Sequence, residues 1–520
     1  MAIKLYSPLS LPSKFKLYFS VFIIFTLITS LFLYFFQPAF AFGQVDSVRF
    51  FLSSLIQSEA TVIAIVISLS LVVIQLTASS YSTRVIDIFK ESSDIWIVIA
   101  AYIIAIIYGM TTLKFIDIII DLGTPIYVTA VWIAYFMAIF AFGALIPYLL
   151  SSLDIMKSSN VINRFAERIN KENILSGVSE SEAIVAKSSI NPNFSYLYSD
   201  ILRPVIEIDK DPVQPIIDIV HASMMKYDYE TMRYGLKVLE NYMTKILKVD
   251  KLEKDDVTIV KHIFTHLERV GKLAASRDDE DSVMEVSTTI FMIGKISVEQ
   301  KYENVAGMAT NGIKNIGRLV IKKEMEELII TMADLITEIG RDSAKNALDF
   351  STSVTLNSLG IIGKATSKHD QQDLEDTVVI AGSIQEIGKK AVKYNLNQSV
   401  FYAANSLGEL GKSSSENNQI KTTLVIMNYL NELGTLTLDS GFNDSTSKIA
   451  EFLWEMGIIA VWNELNALAL ENLLTKIKNI LLELKNKAEQ KGYVETFDVI
   501  DSSYNKIDEV IEKHRSKSNE

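Results

Sequence analysis

Nine glycines recur along the C-terminal two-thirds of the chain at a nearly constant spacing, and each directly follows an apolar residue. The successive spacings are 23, 23, 23, 23, 25, 23, 23 and 23 residues. The nine are Gly271, Gly294, Gly317, Gly340, Gly363, Gly388, Gly411, Gly434 and Gly457. A period of this kind is typical of an array in which one supersecondary unit is stacked many times.

Each unit has the pattern of one amphipathic helix. The apolar residues before Gly340 follow a 3.6-residue period, and they are Ile321, Met325, Leu328, Ile329, Met332, Leu335, Ile336 and Ile339. No proline follows Pro215, as expected of stacked helices. A single helix cannot bury its own apolar stripe, so we predict that units pair into structural repeats of about 46 residues, which resemble HEAT or armadillo-like repeats. The expected fold class is all-α, with an α-solenoid over residues 216–490.

Glycine inside a helix costs about 1 kcal/mol relative to alanine, so nine such positions need an offsetting cause. We expect each glycine to mark a crossing point where the partner helix approaches closely. Seven of the glycines are followed at once by a cation: Lys272, Lys295, Arg318, Arg341, Lys364, Lys389 and Lys412. These charges either stabilise the C-terminal ends of their own helices or form a ladder that binds an acidic partner.

Four charge-free apolar stretches occupy the first 150 residues, and each is long enough to cross about 30 Å of hydrocarbon. We predict spans near residues 17–37, 60–80, 95–114 and 126–150, which together form a four-helix transmembrane domain over 1–150. The sequence Ala39-Phe40-Ala41 leaves open a signal-peptidase site after the first stretch. That stretch is longer than a secretory signal requires, which favours a retained helix.

Lys and Arg flank the predicted spans unevenly. Lys14 and Lys16 precede the first span, and Arg84 and Lys90 lie between the second and third. Because Lys and Arg concentrate on the cytoplasmic side, both termini of a multi-pass protein of the cell membrane are expected there. An impermeant reagent added outside sealed cells should therefore fail to label Ser518→Cys.

The second span is the most polar of the four. Ser68, Gln75, Ser79 and Ser82 fall near one helical face. In lipid such a face must find polar partners, so it either contacts a neighbouring helix or lines a water-filled pore.

The segment from Phe51 to Gly109 resembles a known family. Its residues 71–84, with the sequence LVVIQLTASSYSTR, precede a short charged loop and another span. This pattern is similar to the predicted membrane proteins catalogued as domain of unknown function 2254, members of which often have proline in place of Thr83. The resemblance implies a multi-span membrane protein and no particular activity.

Residues 151–215 are expected to form a junction, and residues 491–520 a charged C-terminal cap and tail. The junction ends in an acidic cluster, Glu207, Asp209 and Asp211, which we interpret as a turn before a helix. His262 and His266 have the four-residue spacing of a metal pair but no HExxH carboxylate. We therefore expect no metal, no cofactor and no catalytic site.

The charge and the motifs exclude several classes of function. The net charge of −12 lies entirely in residues 151–520, which argues against nucleic-acid binding. The chain has no cysteine, and we find no phosphate-binding loop or nucleophile motif. We predict a non-enzymatic scaffold or sensor in membrane lipid whose cytoplasmic repeats bind a protein or peptide. The sequence leaves open whether it forms a homo-oligomer. The alternative is an oligomeric channel or transporter gated by the solenoid.

Overall fold

A computed structural model describes residues 44–80, 93–121, 124–177, 211–369, 374–463 and 467–518, together with isolated positions between 20 and 32 and at 84 and 86. The described residues are helices and turns, without strands, which confirms the all-α class. The chain divides into two compact units, a membrane unit of residues 1–168 and a repeat unit of residues 169–520.

The described part of the membrane unit has five helices: α1 (Val45–Ser80), α2 (Ser93–Lys114), α3 (Ile116–Asp121), α4 (Thr124–Ile155) and α5 (Ser158–Ala166). Within these residues, three helices are long and apolar enough to cross a membrane, over Val45–Ser79, Ile95–Lys114 and Ile126–Asp154. The second predicted span is thus part of a longer helix. The first, near 17–37, lies largely outside the described residues.

The repeat unit begins with α6 (Lys171–Gly177) and α7 (Gln214–Met225). Twelve further helices follow: α8 (Tyr229–Leu247), α9 (Lys254–Ser276), α10 (Glu280–Glu299), α11 (Glu303–Lys322), α12 (Glu326–Lys345), α13 (Asp349–His369), α14 (Leu374–Lys393), α15 (Asn397–Glu416), α16 (Ile420–Asp439), α17 (Asn443–Trp462), α18 (Ala467–Lys491) and α19 (Val494–Ser518). Each repeat glycine lies in its own helix, from α9 to α17. The predicted repeat array is confirmed, and its last helix extends into the predicted charged tail.

The array has two layers. Layer A contains the odd-numbered helices from α7 to α19, and layer B contains the even-numbered helices from α8 to α18. Each helix packs against its neighbours in sequence and against the helices two places away in its own layer. Two helices therefore form one structural repeat, as the 46-residue period predicts.

The turns between these helices share one conformation. The residue seven positions after most repeat glycines has a positive φ, as at Lys301 (60°) and Ala347 (56°). The next residue then donates its N–H to a carbonyl five positions back, as in Tyr302 to Ser297 at 2.8 Å. This is the Schellman ending. Because non-glycine residues hold the left-handed position in most of these turns, the sequence did not indicate this conformation.

The repeat glycines lie where three helices meet, rather than at a simple crossing of two. A Cβ added at Gly271 would lie within 3.0 Å of Ile316 and within 3.2 Å of Val286. Val286 belongs to the next helix, and Ile316 belongs to the next helix of the same layer. Ile316 itself precedes Gly317, so the apolar residue before one glycine packs onto the glycine two helices earlier.

The same relation holds along the array. The apolar residues that contact the earlier glycine in this way are Ile316, Ile339, Ile362, Ile387, Leu410, Leu433 and Met456. This contact explains why the seven repeat glycines from Gly317 to Gly457 directly follow an apolar residue. It also explains why the glycines recur at a constant spacing. Most units both leave space above their own glycine and provide the apolar side chain that fills the space above the glycine two helices earlier.

Candidate functional site

A cluster of one aspartate and two histidines lies at the N-terminal end of the array. His262 and His266 are four residues apart in α9, so their side chains share one helical face, and Asp211 lies just before α7. Asp211 Oδ2 is 3.0 Å from His262 Nε2 and 2.9 Å from His266 Nε2. The two Nε2 atoms are 3.1 Å apart. Three potential ligand atoms thus converge on one point.

The cluster is buried, because none of its three residues is more than 6% exposed. Burial raises the pKa of Asp211, but hydrogen bonds from His262 and His266 outweigh it and hold that pKa well below its usual range. Burial lowers the pKa of His266, against the opposing effect of Asp211. The other oxygen of Asp211 accepts a hydrogen bond from the Val213 N–H at 2.9 Å, which fixes the carboxylate orientation.

The sequence shows both halves of this cluster, but neither half by itself indicates a metal site. The histidine pair lacked a carboxylate nearby in sequence, and Asp211 suggested only a turn. The structure brings them together across 51 residues, an arrangement that neither half of the cluster indicates in the sequence. Glu207 and Asp209 lie outside the described residues.

The predicted polar face of the second span lies on the exposed side of α1. Ser68 and Ser79 are exposed and donate to carbonyls of their own helix, those of Ala64 (2.9 Å) and Leu76 (3.0 Å). Gln75 is also exposed, and Ser82 lies outside the described residues. The helical period identified a face, but it could not tell which face meets the neighbouring helices.

Other polar residues of α1 point inward instead. Ser70 and Thr77 are buried, and the Ser70 hydroxyl forms a hydrogen bond with that of Tyr148 in α4. Glu59 is 1% exposed, and no group within the described part of the chain lies within hydrogen-bonding distance of its Oε1. Sequence reasoning missed Glu59 because it stands at the edge of the second charge-free stretch.

Five of the seven cations after the glycines pair with carboxylates two helices farther along. Lys295 contacts Glu338 at 2.5 Å, Arg341 contacts Glu386 at 2.6 Å, and Lys364 contacts Glu409 at 2.7 Å. Hydrogen bonds from Arg341 lower the pKa of Glu386 from 4.5 to about 2. The cations therefore link successive repeats, which neither interpretation of the sequence anticipated.

Layer A carries a row of three asparagines at equivalent positions of the repeat. Asn311, Asn357 and Asn405 stand six residues before Gly317, Gly363 and Gly411, and all three are partly exposed. They lie on α11, α13 and α15, which pack side by side. Met308, Val354 and Tyr402, nine residues before the same glycines, are also partly exposed. We name these six residues the amide face.

Apolar helices long enough to span a bilayer, followed by a helical repeat array, define the class of a membrane protein with a repeat domain. The family described as "Predicted membrane protein (DUF2254)" matches residues 13–195. The match spans all four predicted apolar stretches, and so reaches well beyond residues 51–109, which carried the sequence resemblance. It ends before the repeat glycines.

No curated protein matches this chain. Among solved structures, a circular tandem repeat protein with a novel repeat topology is 14% identical, covers 69% of this chain and 97% of its own, and has a TM-score of 0.30. A structure described as a computational design of self-assembling cyclic protein homooligomers is 10% identical, covers 69% and 98%, and has a TM-score of 0.15. TM-scores this low define no helix arrangement for this chain.

Proposed function

We propose that the chain is a membrane-anchored scaffold or sensor whose repeat unit binds an extended peptide segment of a protein partner along the amide face. It acts by binding and not by catalysis. The positive-inside distribution of Lys and Arg supports a cytoplasmic location for the repeat unit. The observation that carries the proposal is the row of equivalent asparagines on adjacent helices.

A carboxamide both donates and accepts hydrogen bonds, as does each peptide group of an extended chain. Packed helices lie about 8–10 Å apart, and an extended chain advances about 3.3 Å per residue. Every third peptide group of a bound segment would therefore meet one asparagine. The apolar side chains of the amide face would contact the peptide residues that lie between these peptide groups. The five cations that pair with carboxylates two helices farther along make a strongly acidic partner less suitable.

The test uses a library of displayed extended peptides and the full-length protein in lipid nanodiscs. Peptides selected on the wild type should bind the Asn357→Ala, Asn405→Ala double variant about 10-fold more weakly, since each lost neutral hydrogen bond costs about 0.5–1.5 kcal/mol. Asn428→Ala is the matched control, because Asn428 occupies the same position before Gly434 on layer B. Equal loss in the control, or no loss in the double variant, would refute the amide face as the binding surface.

Glu59 favours a second function, that of a channel or transporter formed by the membrane helices. Ionisable groups buried within the membrane often mark ion or proton pathways. In liposomes, the scaffold proposal predicts no selective flux of potassium, sodium, chloride or protons. A selective flux that requires the protein and falls in Glu59→Gln, but not in the exposed-face control Gln75→Leu, would establish the transport function instead.

A further inference from the structure

The Asp211, His262 and His266 cluster contains three short contacts between polar atoms, but it cannot place a hydrogen in all three at once. Each Nε2 carries either one N–H or one lone pair. If both donate to Asp211 Oδ2, the two N–H groups face each other across 3.1 Å. If one is unprotonated, its lone pair faces the carboxylate oxygen at 2.9–3.0 Å. Every arrangement of protons leaves at least one short contact without its own hydrogen.

A cation at the centre would satisfy all three atoms. Zinc binds histidine nitrogen and carboxylate oxygen at about 2.0–2.1 Å in tetrahedral geometry, which places neighbouring ligand atoms about 3.3 Å apart. The observed separations of 2.9–3.1 Å need only a small expansion to reach that value. We propose that Asp211, His262 and His266 bind a divalent transition-metal ion, with Zn²⁺ the ion that these ligands fit best.

The surroundings of the cluster also favour metal binding. The Val213 N–H holds the second carboxylate oxygen, as outer-shell partners hold metal-binding carboxylates. An ionised aspartate with two neutral histidines carries one negative charge in a buried place, and a divalent ion compensates it. Binding requires both Nε2 atoms unprotonated, so any proton on them is released to solvent. Three protein ligands leave one tetrahedral position for water or another ligand.

The ion would connect Asp211, in the segment just before α7, to the middle of α9, and so attach the first helix of layer A to the array. Because the ligands come from distant parts of the chain, metal binding and the packing of this end are coupled. The site uses none of the residues of the amide face, so this proposal stands or falls independently of peptide binding.

The test uses the full-length protein in nanodiscs after removal of metal with a chelator. Titration with Zn²⁺ against a competing chelator should give one tight site per chain, and Co²⁺ should give the visible absorption of four-coordinate cobalt. The His262→Ala, His266→Ala double variant should lose affinity by about 100-fold or more. Asp211→Asn, which keeps an acceptor for the Val213 N–H, should also weaken binding. His221→Ala, an exposed histidine of α7, should bind like the wild type.

X-ray absorption at the zinc edge of the loaded wild type should show two imidazole ligands, and this result holds even if the double variant fails to fold. The proposal is overturned if the wild type binds no stoichiometric Zn²⁺ while its helical circular dichroism is intact. It is overturned equally if the bound zinc has no imidazole ligand, or if a folded double variant binds as tightly. In each of those cases the cluster is a metal-free hydrogen-bonded group.

Discussion

Replacing Gly340 with alanine should destabilise the array, whereas the same replacement at Gly317 should stabilise it. A Cβ at position 340 would lie within 3.0 Å of Thr355 and Ile387, both in neighbouring helices. Thr355 is fully buried and β-branched, so it cannot turn aside, and overpacking of this kind costs about 1–3 kcal/mol. At Gly317 the nearest atoms are 3.4 Å away, which is ordinary contact. Alanine at position 317 therefore adds about 1 kcal/mol of stability through its higher helix propensity, with no overpacking to offset it.

Hydrogen exchange of the full-length protein, measured by mass spectrometry, can detect this difference in stability helix by helix. Amides of α12 and α13 should exchange faster in Gly340→Ala and faster still in Gly340→Leu. Those of α11 should exchange at the wild-type rate or more slowly in Gly317→Ala, because repeat arrays open in parts. If the two alanine variants changed stability in the same direction, the three-helix contact would not be the reason for the glycines.

Truncating Ile316 to alanine should reduce stability more than Gly340→Ala does, by about 2–5 kcal/mol. Ile316 has no exposed surface, and its side chain fills the space above Gly271 two helices earlier. Removing it leaves a cavity that the surrounding helices fill only in part. Because Ile316 lies in α11 and Gly271 in α9, protection from exchange should fall in both helices.

A double-mutant cycle tests that contact directly. Gly271→Ala alone should destabilise, because the added Cβ would lie within 3.0 Å of Ile316. In the Ile316→Ala background the same change should cost much less, since most of the crowding is gone. The expected coupling is about 0.5–3 kcal/mol. Strict additivity of the two changes would show that Ile316 and Gly271 do not contact each other as the structure has it.

The sequence predicted much of the fold, because the helix period and the repeat period are both local properties of the chain. The glycine spacing identified one helix per unit and two helices per repeat. Charge-free length identified the segments that became α1, α2 and α4. The left-handed conformation of the turns was not predicted, since residues such as Lys301 and Ala347 hold it through the surrounding hydrogen bonds and not through their own preference.

The packing partners could not be predicted from the sequence. That Ile316 fills the space at Gly271, and that Arg341 pairs with Glu386, depends on which helices are neighbours within a layer. In the membrane unit, the helical period gave the positions of Ser68 and Gln75 on one face. Only the packing of the described helices showed that this face is exposed and that Glu59 is buried.

The sequence by itself therefore determined the all-helical class, the apolar spans and the repeat, because each is written in the spacing of residues along one helix. Tertiary structure alone decided the candidate metal site. His262 and His266 share a face by their spacing, but Asp211 reaches them only because α7 packs against α9. A metal ion selects groups by their distances in space, and those distances follow from how the helices pack and not from their order in the chain.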